Sequence, residues 1–192
     1  PGSARVLGFV SMACHAGAAQ RFCQSPEATA HQLLAAVSLA LLWDAIHTEA
    51  RGVLHALLSP AFLAQLVGPA YCPPSLAALG VHVLDENEVL RTAAKLLLAR
   101  YVPVATESEL TELERTWRGH VPLAPSDPAT PCTPYAVLVL GLVMCERYAH
   151  FSPLLLKRVA AMVAAYLARP AADSLPIWVA TELCCTGCHV WQ

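Results

Sequence analysis

The sequence predicts an all-α fold, on three observations: apolar residues recur at helical spacing, Ser-Pro and Thr- or Asp-x-x-Glu starts punctuate the chain, and period-two alternation is nearly absent. Only Gly80 to Leu84 has strand composition, and a lone strand has nothing to pair with. At 192 residues the chain suits one compact unit, 4–192, with a sizeable core. Its hydrophobic content of 56% and charged content of 14% imply that most helix faces are covered by neighbours, which argues against disorder.

Val6 to Phe22 carries apolar residues at helical spacing and reads as a first helix. Ser25-Pro26-Glu27 supplies an N-cap and a proline at the first helical position, and Leu33, Leu34, Val37 and Leu41 keep helical spacing towards about His47. Thr48-Glu49 starts a short helix to Leu58, and Ser59-Pro60 starts another that Gly68-Pro69 stops. Pro73-Pro74-Ser75 opens a brief turn of helix to Leu79, with Gly80 as its C-cap.

Asp85-Glu86-Asn87-Glu88 has the form of a capping box before the stripe Val89, Leu90, Ala93, Leu97 and Tyr101. Thr106-Glu107-Ser108-Glu109 repeats the device. In the helix that follows, Leu110, Leu113 and Trp117 share an apolar face, and Glu107, Thr111, Glu114 and Arg118 a wet one. The segment 121–134 is a proline-rich loop, long for a compact domain and of the kind that often carries function. Tyr135 to Ala149 is apolar nearly all round and therefore central, Ser152-Pro153 opens a helix to Ala168, and Asp173 or Ser174 with Pro176 opens the last.

The total is about eight to nine helices. The Ser-Pro starts at Ser25 and Ser59 lie one repeat length apart, but no third copy follows. The expectation is therefore irregular armadillo- or HEAT-like stacking, or an orthogonal helical bundle.

A net charge of −2 with scattered Lys and Arg gives no footprint for nucleic acid. The longest uncharged helical run, Ala28 to Trp43, is shorter than the roughly 20 apolar residues that span a bilayer. Pro1-Gly2-Ser3 reads as a cloning remnant ahead of a domain excised from a larger protein. The eight cysteines sit mostly inside apolar helical runs, which suits reduced thiols in an intracellular protein, cytoplasmic or nuclear.

Cys185-Thr186-Gly187-Cys188-His189 has the CxxCH form that attaches haem, and Cys185, Cys188 and His189 are candidate metal ligands. A structural zinc site needs a second ligand pair, and none is visible. Thiol exchange needs the pair at a helix N-terminus, whereas here it lies late in its helix. The favoured reading is a core stripe of Ile177, Ala180, Cys184, Cys188 and Trp191, broken only if the helix ends at Gly187. No metal, haem or other cofactor is expected on that reading.

Phosphate loops, nucleophile elbows, HExxH and paired-carboxylate motifs are all missing, so no catalytic residues are assigned. His31, His47, His55, His82 and His150 are dispersed along the chain. The best recognition surface is the helix from Glu107 to Trp117, with Arg115, Trp117 and Arg118 as partner-contact candidates and the following loop framing a groove. Trp117 also continues the Leu110 and Leu113 stripe, the mark of a core residue. The expected function is non-enzymatic protein binding, as a scaffold or adaptor whose partner is a peptide or helix docked in a groove. The alternative is a metal or haem protein using Cys185, Cys188 and His189.

Overall fold

The computed structural model describes residues 25–44 and 50–168. These form eight α-helices and no strand, the all-α class that the sequence predicts: α1 (Pro26–Asp44), α2 (Ala50–Leu57), α3 (Pro60–Val67), α4 (Leu76–Gly80), α5 (Glu88–Tyr101), α6 (Glu107–Arg118), α7 (Thr133–Arg147) and α8 (Pro153–Ala168). Single 3₁₀ turns follow α5 at Val102–Val104 and α7 at Tyr148–His150. The expected helices at 6–22 and after Pro176, and the cap at Thr48, lie outside the described residues. The chain divides after Tyr101 into two compact units, each with its own core.

In the first unit α1 is the hub, packed against α2, α4 and α5. Its buried positions Ala30, Leu33, Leu34, Val37 and Ala40 follow helical spacing, and the alanines among them let a neighbouring helix approach closely. Ser25 starts this helix as its sequence implies, its hydroxyl accepting the Ala28 N–H at 3.1 Å. Ser59 does the same for α3 through the Phe62 N–H at 3.3 Å, and Gly68 stops that helix. At φ +81° Gly68 is left-handed backbone, donating its N–H to the Ala64 carbonyl at 2.9 Å. A Cβ there would meet nothing within 4 Å, so glycine is favoured by backbone conformation and not by crowding.

Two local readings are corrected. Gly80 is the last, buried residue of α4 and the cap is Val81; the N–H groups of Val81, His82 and Val83 turn back to the carbonyls of Ala78, Leu79 and Gly80. The stretch of strand composition is therefore the end of this helix at Gly80 followed by turns over 81–84. The cap of α5 is Asn87 and not Asp85: its Oδ1 accepts the Val89 N–H at 2.9 Å and the Leu90 N–H at 3.3 Å. Asp85 is engaged elsewhere, one oxygen on the Asn87 N–H at 2.9 Å and the other on His82 Nδ1 at 3.1 Å. Both residues are capping acceptors, and the one adjacent to the first helical residue takes the role.

In the second unit α7 is central, in contact with α6, α8 and both 3₁₀ turns. Its buried residues run unbroken from Ala136 to Gly141 and resume at Val143 and Met144, the all-round burial that its sequence predicts. Around it α6 buries Leu110, Leu113 and Trp117, and α8 buries Leu155, Val159, Met162 and Val163. Both halves of the Thr106 capping box form: Thr106 Oγ1 accepts the Glu109 N–H at 3.3 Å, and Glu109 Oε2 accepts the Thr106 N–H at 2.7 Å. Helix α6 is thereby fixed at its start, with Arg115 and Arg118 displayed in its last turn.

Candidate functional site

On α6, positions 111, 115 and 118 recur every three to four residues and share one face. Opposite is the stripe of Leu110, Leu113 and Trp117, which holds that face outward. Beyond Gly119 the chain folds over the last turn of α6: the His120 N–H donates to the Trp117 carbonyl at 3.1 Å and the Val121 N–H to the Arg118 carbonyl at 3.2 Å. Arg158 of α8 then reaches the loop, donating from Nε to the Pro122 carbonyl at 3.0 Å and from Nη2 to the Val121 carbonyl. A planar guanidinium with several fixed donors suits this double capture of adjacent carbonyls.

Between α6, this loop and Arg158 lies a cleft of about 700 Å³. Arg115, Arg118 and Arg158 supply three guanidinium groups to its lining, and Glu114 supplies one carboxylate. Arg115 is exposed and has no ion-pair partner among the described residues. Arg118 is exposed and meets Glu114 Oε1 at 3.4 Å, an i,i+4 contact of the sort worth only about 0.3–0.5 kcal/mol. Leu123 stands at the edge with 77% of its surface exposed. The cleft thus combines a cationic wall with an apolar rim.

Of the residues expected to contact a partner, Arg115 and Arg118 line this cleft and face solvent. Trp117 lies beneath them, 6% exposed, with its indole N–H buried and without an acceptor among the described residues. It shapes the wall from behind. Arg158 and Leu123 were not visible as site residues, because the bonds that bring Arg158 to the loop span 36 and 37 positions. Cys185, Cys188 and His189 lie outside the described residues. Among the described residues no three His, Cys, Asp or Glu side chains are grouped so as to hold a metal.

A second polar cluster lies between the start of α6 and the end of α7. Glu107 accepts from Arg147 Nη2 at 2.8 Å and pairs with His150 Nδ1 at 2.5 Å, while Arg147 Nη1 donates to the Ala105 carbonyl at 2.9 Å. The other ring nitrogen, His150 Nε2, is sealed from solvent, 3.8 Å from Glu114 Oε2. An imidazole enclosed in this way presents no base to a substrate, so the cluster ties elements together.

The hydrogen bond from His150, with that from Arg147, holds the Glu107 carboxyl below its ordinary value of 4.5. A carboxyl depressed in the folded state contributes stability above its unfolded pKa, and that contribution is lost as pH falls through the folded value. Wild type should therefore lose more stability than Glu107→Gln as pH falls from about 5 into the acid range. Urea midpoints measured across that range check it; parallel curves for the two proteins would contradict the tie.

No family model, curated protein or solved structure matches this chain.

Proposed function

We propose that the protein is a non-enzymatic interaction module, a scaffold or adaptor that docks a segment of another protein on its second unit. The observation that carries this reading is the cleft beside α6, open to solvent, with Arg115 exposed and without an ion-pair partner among the described residues, Arg118 weakly held and Leu123 displayed at its edge. Exposed arginines next to apolar surface are the composition of binding hot spots, and a helix face beside an ordered loop makes a groove for a peptide or helix. An intracellular setting accompanies the proposal, supported by the free thiols of Cys72, Cys132 and Cys145. None of the described helices is long and apolar enough to cross a membrane.

Affinity capture with the full chain as bait tests the reading. The expected result is a specific set of bound proteins that is lost from the Arg115→Glu/Arg118→Glu variant. Capture that is identical for both baits would overturn the placement of the docking site.

A further inference from the structure

We infer that the cleft beside α6 takes an acidic peptide segment, whose carboxylates meet Arg115 and Arg118 and whose neighbouring apolar side chain lies on Leu123. The inference rests on reading the second unit as a docking module and names what docks there. Charge decides the class of occupant. The lining carries three formal positive charges and one negative charge, a balance of +2 in a chain whose overall charge is −2. The carboxyl end of α6 opposes an anion with roughly half a negative charge. That is too little to reverse the sign, and two of its terminal carbonyls are occupied by His120 and Val121 N–H groups.

Glu114 is already counted in that balance, and its contacts with Arg118 at 3.4 Å and His150 at 3.8 Å are long. A carboxylate arriving from a partner can displace so long a contact and form a shorter, bidentate pair with Arg118. Arg115 gains a counter-charge, which no described residue supplies. The two arginines stand three positions apart on one helix, about 5–6 Å between Cβ atoms. Acidic residues two apart in an extended segment lie about 7 Å apart on one side, within the reach of the flexible arginine stems. Arg158 adds charge but is held by the loop carbonyls, so its first role is to position the rim.

Nucleic acid fits less well. Three guanidinium groups confined to one cleft do not form a track along a phosphate backbone, and the exposed rim residue is Leu123, which offers no stacking platform for a base.

The experiment is fluorescence anisotropy with the full chain and three labelled peptides of equal length: alternating Glu around a central Leu, the same peptide with Gln for Glu, and the same with Lys. Unlabelled single-stranded DNA serves as competitor. The acidic peptide is expected to bind at least tenfold tighter than the Gln peptide, and to weaken as salt rises. Arg115→Glu and Arg118→Glu should each weaken it by roughly tenfold. Arg100→Glu, outside the cleft, should leave affinity unchanged, with circular dichroism confirming the helical content of every variant.

Equal binding of the Gln peptide, abolished by Leu123→Asp, would overturn the acidic preference while leaving the docking reading intact. Failure of all three peptides, together with capture unaffected by arginine reversal, would overturn both. Displacement by DNA at lower concentration than by the acidic peptide would overturn the inference in favour of a nucleic-acid ligand.

Discussion

Trp117→Ala is expected to lower the stability of the protein by about 3–5 kcal/mol, the usual cost of removing a buried indole. Trp117 is 6% exposed and continues the stripe of Leu110 and Leu113, both fully buried, so truncation opens a cavity on the core face of α6. Trp117→Phe separates packing from polar effects. It keeps most of the ring and removes an indole N–H that has no acceptor among the described residues, so its cost should be less than half that of alanine. Urea unfolding of the three proteins gives the comparison. Equal losses for Phe and Ala would mean that the indole nitrogen matters. No loss for either would mean that Trp117 is not a core residue. Because the tryptophan supports the cleft wall from behind, Trp117→Phe is also expected to leave peptide affinity unchanged.

The second large effect lies in the first unit. Leu97 of α5 is fully buried on a face shared with Ala93, Ala94, Leu98 and Tyr101, in a helix that packs against α1 and α4. Leu97→Ala should cost about 2–5 kcal/mol, because the fully buried alanines beside it add no flexible side chain that could fill the gap. Leu97→Met keeps the volume and should cost less than about 1.5 kcal/mol. Leu66→Ala on α3, where the leucine is 39% exposed, is the control, expected to stay near 0.5 kcal/mol. Denaturant midpoints in that order support the assigned core, and a Leu66→Ala loss as large as that of Leu97→Ala would contradict it.

What could be read from the sequence was set by distance along the chain. The box at Thr106 and Glu109 was legible because its partners stand three residues apart, and the Ser25 and Ser59 starts because a hydroxyl beside proline has few other uses. The all-round burial of α7 was legible from composition alone. At α5 the box pattern pointed to Asp85, whereas Asn87, adjacent to the first helical residue, is the cap and Asp85 bonds His82 and the Asn87 N–H. Gly80 misled because the helix runs one residue further than its sequence implies, so that the glycine is the last, buried helical residue and Val81 the cap.

The site followed the same rule. Arg115 and Arg118 were legible as the outward face of an amphipathic helix. Arg158 was not, since nothing local marks an arginine that will reach carbonyls 36 and 37 positions earlier. The tie of Glu107 to His150 spans 43 positions and was equally hidden, leaving His150 as one of several dispersed histidines. Long-range polar contacts of this kind depend on tertiary packing, which local periodicity does not encode.

Backbone amide shift mapping of the full chain, titrated with the Glu-Leu-Glu type peptide, tests whether the cleft beside α6 takes an acidic segment. Saturable shifts concentrated at Arg115, Arg118, Gly119 and Leu123, and missing when Gln replaces Glu, are the predicted result. Amides of these residues that stay still through the titration, whether or not others move, would contradict it.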